Sequence, residues 1–130
     1  MGDIDDFKKI NDTYGHVIGD IVLNKIGSIL RCELPDSLVG RYGGEEFIIL
    51  MPNLNNSFER IEKVRELISN IKVNFEDITI DNISISFGIY NITEDIVNED
   101  VKSLRKKYIG NADKALYTSK ENNKNKTTVY

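Results

Sequence analysis

The chain has 130 residues, 40% of them hydrophobic, a formal net charge of -4, no tryptophan and one cysteine. That length suits a single domain able to bury about two thirds of its unfolded surface, and the ordinary apolar content excludes a disordered chain. Dispersed Lys and Arg exclude a surface for a nucleic-acid polymer, no apolar run approaches the ~20 residues of a membrane span, so this segment is expected to make no direct membrane contact, and a lone Cys32 excludes an internal disulfide and suits a reducing cytoplasm.

In chain order, Asp3 is expected to close a short first strand, with Asp5 and Asp6 as turn or helix-start residues. The backbone N–H groups near Phe7 and Lys8 at that helix start could receive phosphate. Ile18, Val22, Ile26 and Ile29 recur at helical spacing, widened by Leu23 and Leu30, and predict a core-facing helix from His16 to about Glu33, ended by Pro35. Leu38-Val39 and Phe47 to Met51 then read as buried strands of a hairpin whose two-residue turn is Gly43-Gly44, both at positive φ. Without a Cβ there, a ligand's phosphates can come close to the backbone. Glu45 and Glu46 follow the turn and point to opposite faces of the second strand. Taken alone, the motif fits a metal-and-phosphate hairpin and a plain hairpin with a solvated acidic start equally well.

Asn56 with Glu59 marks the start of a second amphipathic helix carrying Phe58, Ile61, Val64, Ile68 and Ile71. Ile78 and Ile80 indicate a short strand, Asp81-Asn82 a turn, and Ile83, Ile85, Phe87 and Ile89 a half-buried strand. Leu104, Tyr108, Ala112, Ala115 and Leu116 mark a third helix, Asn122 to Lys126 a loop, and Thr127 to Tyr130 a last strand. Helices and strands so interspersed predict an α/β sandwich with an antiparallel or mixed sheet.

The acids at the strand ends point to metal chemistry. Phosphoryl transfer from a nucleoside triphosphate needs divalent cations to neutralise charge, and carboxylates are their ligands. Asp3 and Glu45, at the ends of strands lying side by side, would share one metal shell. Lys120 and Lys124 lie one helical turn apart if the third helix persists that far, and either reach the same phosphates or form a solvated tail. By themselves Asn11 and Asp20 read as capping residues, and the sole histidine, His16, as structural.

Four segments change those readings: Asp3 to His16 followed by Gly19-Asp20, Arg41-Tyr42-Gly43-Gly44-Glu45-Glu46-Phe47, Ser86-Phe87-Gly88, and Ala112-Asp113-Lys114-Ala115-Leu116-Tyr117. In that order they closely resemble the GGDEF domain of diguanylate cyclases, over essentially the whole chain. The resemblance implies an α+β fold with a central, mixed, mostly antiparallel five-stranded sheet flanked by helices, related to nucleotide-cyclase and polymerase palm domains. It also implies that residues 1–130 are one domain that condenses two GTP into cyclic di-GMP with release of two pyrophosphates.

By the same resemblance two Mg²⁺ (or Mn²⁺) serve each site, held by Asp3, the Ile4 carbonyl and Glu45. Glu46 is the second acid, either a further ligand or the group that helps deprotonate the attacking 3′-hydroxyl. Phe7 and Lys8 meet the terminal phosphates, Asn11 the base edge, and Asp20 the N1 and exocyclic amine of guanine. An acid accepting two N–H bonds chooses guanine over adenine. His16 supports the base or ribose, Gly43 and Gly44 accommodate ribose and phosphates, and Lys120 and Lys124 hold the triphosphate. Arg41 belongs to the motif with a role that could equally be structural. The partner is a second GGDEF protomer, since a product with two identical links needs two sites face to face in a homodimer. The location is cytoplasmic, with a parent protein that could be membrane-anchored, and the alternative is a catalytically impaired module that binds GTP or metal and regulates.

Three features depart from the family pattern. Leu34 and Ser37 stand where many members carry the arginine and aspartate of a product-inhibition site, so little feedback inhibition is expected. Lys124 replaces an arginine and Asn123 a glycine, losing the planar fork of arginine. The helix and most of the strand that usually precede Asp3 are not in this sequence, so the domain is expected to be amino-terminally shortened, with apolar strand faces left uncovered and either low thermal stability or association through that gap.

Overall fold

The computed structural model describes residues 1–52, 55–93 and 100–130. In chain order the elements are β1 (Gly2–Ile4), α1 (Phe7–Tyr14), α2 (His16–Glu33), β2 (Leu38–Gly43), β3 (Glu46–Leu50), α3 (Ser57–Ser69), β4 (Val73–Phe75), β5 (Ile78–Ile80), β6 (Ile85–Ile89), α4 (Val101–Glu121) and β7 (Thr127–Val129). Five strands form one sheet in the order β2-β3-β1-β6-β7, and β4 with β5 forms a separate hairpin. Every pairing in the large sheet is antiparallel except β6 with β7. The expected mixed, mostly antiparallel five-stranded α+β fold is therefore the one observed.

Three residues suffice for β1 because it lies in the middle of the sheet. Gly2 and Asp3 pair with Phe47 and Glu46 on one side, and Gly2, Asp3 and Ile4 with Phe87, Ser86 and Ile85 on the other. With backbone partners on both sides the strand loses little to fraying. Ile4, Phe47, Ile85 and Phe87 face a core completed by Val22, Ile26 and Leu30 of α2 and by Ile61, Val64 and Ile68 of α3. The predicted helix over 16–33 thus forms with those bounds, and Leu34 and Pro35 follow it directly.

Helix α4 covers the opposite face, where Gly88 lets it approach. A Cβ built at Gly88 would strike the Ala112 carbonyl and the Leu116 amide. Both are backbone atoms, so no side chain can move aside. Gly88→Ala is expected to cost about 1–3 kcal/mol through overpacking, measurable as a lower midpoint in urea unfolding with an unchanged slope. An unchanged midpoint would show that α4 is free to shift.

Several expectations need correction. The hairpin turn is Gly44-Glu45, since Gly43 still pairs with Glu46 after a register shift between Arg41 and Gly43. Of the two glycines only Gly44 has positive φ, at 50°. Asp3 is the middle residue of β1 and does not close it, and Glu45 lies in the turn and does not open β3. Strand β6 is not half-buried. Its first four residues are all buried, because the polar and glycine positions Ser86 and Gly88 lie under α4. Phe58 is exposed, Ile71 falls beyond the end of α3, and β4 carried too little alternation to be anticipated. Asn56 does stand at the start of α3, but in the left-handed region and without a side-chain cap. Helix α4 stops at Glu121, so Lys124 lies beyond it.

Between β3, β6 and α4 lies a cleft of about 670 Å³, bordered by Ile48, Leu50, Phe87, Ile89, Ile109 and Ala112 among others. No helix among the described residues is long and apolar enough to cross a membrane.

Candidate active site

Cross-strand partners share a sheet face. Asp3 therefore lies on one face with Glu46 of β3 to one side and Ser86 of β6 to the other. Asp5, two residues on, accepts from Ser86 Oγ at 2.7 Å and from Ser84 Oγ at 2.7 Å. Helix α4 brings Lys120 to the same place. Its Nζ donates to Asp3 Oδ1 at 2.5 Å, the Asp3 carbonyl at 3.1 Å and Asp5 Oδ1 at 2.7 Å.

These neighbours set the titration of the acids. Burial, and then the charges of Glu45 and Asp5, raise the Asp3 pKa despite the opposing pull of Lys120. Burial raises Glu46 as well, helped by the charges of Asp3, Asp113 and Glu45. Asp5 is different. Burial alone would raise it, but bonds from Lys120, Ser84, Ser86 and the Asn125 amide outweigh that and hold its carboxyl below the usual range. The fold thus disfavours the ionised forms of Asp3 and Glu46 and favours that of Asp5.

The hairpin tip adjoins them. Ile4 N–H donates to the Glu45 carbonyl at 3.3 Å, tying the turn to β1. Arg41 Nε donates to the Gly44 carbonyl at 2.7 Å, so Arg41 braces the turn from within. A Cβ at Gly43 or Gly44 would meet nothing within 4 Å, so the backbone there faces open space.

Helix α1 begins after Asp6, which has φ 53° and provides no side-chain cap. Lys9 and Ile10 N–H bond back to the Asp6 carbonyl, while the Asp6 carboxylate accepts from Lys124 Nζ at 2.6 Å. Lys120 and Lys124 therefore both reach the acidic cluster, but Lys124 does so from a left-handed turn over Asn123, Lys124 and Asn125 (φ 74°, 57° and 43°). Phe7 is buried and Lys8 exposed. A Cβ at Gly19 would strike the Asn11 carboxamide oxygen and crowd Phe7, so Asn11 lies against α2 at Gly19, the residue before Asp20. Asp20 and His16 are both exposed on α2. Leu34, which stands where the family pattern has the arginine of a product-inhibition site, is buried in the core.

Sequence reasoning missed the part played by Asp5. The period of two hints that Asp5 follows the face of Asp3, but Asp5 lies one residue beyond β1 and nothing local names its partners.

Among the described residues no three His, Cys, Asp or Glu side chains converge into a ready cage for a metal ion. The donor set nonetheless fits Mg²⁺, which keeps several waters and takes one or two carboxylates together with substrate phosphates. Asp3 and Glu46 are hard oxygen donors whose ionised forms the fold disfavours, and a cation between them would relieve both.

Known proteins match this chain over nearly its whole length. The family model described as "Diguanylate cyclase, GGDEF domain" matches residues 1–126. Diguanylate cyclase A of Treponema denticola is 39% identical over 132 residues, covering 99% of this chain and 34% of that protein. This chain thus spans about a third of that curated relative. Among solved structures, the active GGEEF domain of a diguanylate cyclase from Vibrio cholerae superposes with a TM-score of 0.83 at 30% identity, covering 99% of this chain and 79% of that one. The GGDEF domain of DgcB from Caulobacter crescentus, solved in complex with c-di-GMP, gives a TM-score of 0.83 at 30% identity, covering 98% and 74%.

Proposed function

We propose that this chain, which belongs to the diguanylate cyclase GGDEF domain family, condenses two GTP into cyclic di-GMP and two pyrophosphates. The observation that carries the reading is the pairing of Asp3 with Glu46 across β1 and β3, next to a hairpin tip whose backbone is open to a ligand.

Asp3, Glu46 and Glu45, with the Ile4 carbonyl, would hold Mg²⁺ or Mn²⁺, two in each site. When bound, such ions would supply neutralisation of the charge that builds up on the transferring phosphoryl group. The chain's own groups bind and orient. The first turn of α1 at Phe7 and Lys8 receives the terminal phosphates, helped by Lys120 and Lys124. Gly43 and Gly44 let ribose and phosphate lie against the turn. Asn11 and Asp20 read the guanine edge, with His16 near base or ribose. Glu46 is either a metal ligand alone or also the group that takes the proton of the attacking 3′-hydroxyl.

Each protomer would hold one GTP, and two sites would face each other across a twofold axis. Residues 1–130 act as one domain in this proposal, placed in the cytoplasm where GTP is made. The deciding experiment is mass spectrometry of the products formed with Mg²⁺ from GTP, and from ATP in parallel. Cyclic di-GMP from GTP alone is the expected result. Tight GTP binding with no product would replace the proposal with a regulatory module that binds nucleotide without chemistry.

A further inference from the structure

Asp5 is 3% exposed at its side chain, yet it lies beside a site built to hold cations. Its two carboxylate oxygens accept from four donors in three parts of the chain: Ser84 Oγ and Ser86 Oγ at β6, Lys120 Nζ of α4 at 2.7 Å, and the Asn125 amide of the following turn at 2.9 Å. A buried carboxylate with its acceptor sites filled is a poor ligand for an incoming metal. It is well suited to hold other groups still.

It holds Lys120 directly, and it holds the backbone of the turn that carries Lys124, whose ammonium is bonded to Asp6. Lys120 is shared between Asp5 and Asp3. Lys124 sits in the left-handed turn whose Asn125 amide ends on Asp5. If Asp3 gives its carboxylate to a cation, Lys120 loses one of its two anionic partners, and a flexible ammonium with no remaining anchor would leave the site. Asp5 prevents that.

We propose that Asp5 is a positioning residue that retains Lys120, and with it the 123–125 turn, when Asp3 turns to a metal ion. This rests on the reading of Asp3 as a metal ligand and of Lys120 and Lys124 as phosphate-binding groups. Asp5 touches neither substrate nor metal. It keeps the two lysines where a triphosphate meets them. Arg65 also holds the turn through Asn125 Oδ1 at 2.8 Å, Lys124 N–H donates to the Ser119 carbonyl at 3.1 Å and Lys124 Nζ to Asp6, so removing the charge of Asp5 loosens the Asn125 amide while these other ties remain.

The test is Asp5→Asn, which keeps size and loses charge, with Lys120→Met and the double variant. Calorimetry with Mg²⁺-GTP should show a loss of at least tenfold in affinity for Asp5→Asn, a similar loss for Lys120→Met, and no further loss in the double variant. Affinity for guanosine, followed by NMR titration, should stay within twofold, because the base site lies on α1 and α2. Equal losses for GTP and guanosine, or losses that multiply in the double variant, would overturn the proposal. Amide exchange of Asn125 in the ligand-free chain gives a reading independent of nucleotide. Exchange at least tenfold faster in Asp5→Asn supports the assignment, and unchanged exchange refutes it. A wild-type chain that binds no GTP would defeat the proposed function, and the Asn125 exchange would still decide the role of Asp5.

Discussion

Asp3→Asn and Glu46→Gln are each expected to lower cyclic di-GMP formation at least about a hundredfold while raising the melting temperature measured without divalent cations. The loss follows from removing an anionic oxygen that faces its partner across β1 and β3, since a metal's stabilisation of phosphoryl transfer is worth several kcal/mol and ~2.7 kcal/mol is a hundredfold. The gain in stability follows from linkage. Both acids have folded pKa values raised above their ordinary ones, chiefly by burial. A group of that kind contributes stability that is present at low pH and lost as pH rises through its raised pKa. An amide has no charged form, so the variants escape that loss at neutral pH. The raised value for Asp3 already includes the opposing pull of Lys120. Mg²⁺ should raise the melting temperature of the wild type and do so less in either variant. Near-normal synthesis by a variant in saturating Mg²⁺, or a lower melting temperature in both, would contradict the assignment.

The trade between stability and charge at Asp3 and Glu46 was only half legible in the sequence, and the reason is a single residue of register. A Gly-Gly pair between apolar runs announces a tight turn, but nothing local reveals the shift between Arg41 and Gly43 that uses up one position. That shift moves the turn to Gly44-Glu45 and puts Glu46 opposite Asp3, where unbroken alternation would have assigned the role to Glu45. Helix α2 was legible throughout, because its apolar period and Pro35 are both local. The end of α4 was not. Asn123, Lys124 and Asn125 all adopt left-handed backbone without a glycine to signal it, so two lysines expected on one helical turn reach the acids by different routes. Asp5 was hardest of all. All four of its partners, Ser84, Ser86, Lys120 and Asn125, lie about 80 to 120 positions away, and only the assembled fold brings them to it. Ser86 likewise looked like the outward half of an alternating strand until Asp5 and α4 covered it.

Asp20→Ala is expected to weaken GTP binding by roughly 10- to 100-fold and to leave ATP binding nearly unchanged. A charge-assisted hydrogen bond is worth about 1.5–3 kcal/mol, and each ~1.4 kcal/mol is tenfold in affinity. Only guanine offers both a ring N–H and an exocyclic amine to one carboxylate, so only guanine loses them. The geometry supplies a second way to reach the same site. Gly19 has no Cβ, and one placed there would strike the Asn11 carboxamide oxygen. Because the carboxamide is the far end of a side chain, Gly19→Ala should displace Asn11 and leave the helix pair intact. Its loss of GTP affinity should then approach that of Asn11→Ala, and the double variant should lose little more. Calorimetric titration with GTP and ATP measures all of these. Equal losses for both nucleotides in Asp20→Ala would remove Asp20 from the base site, and independent losses in the Gly19 and Asn11 variants would show that α1 and α2 do not read the base together.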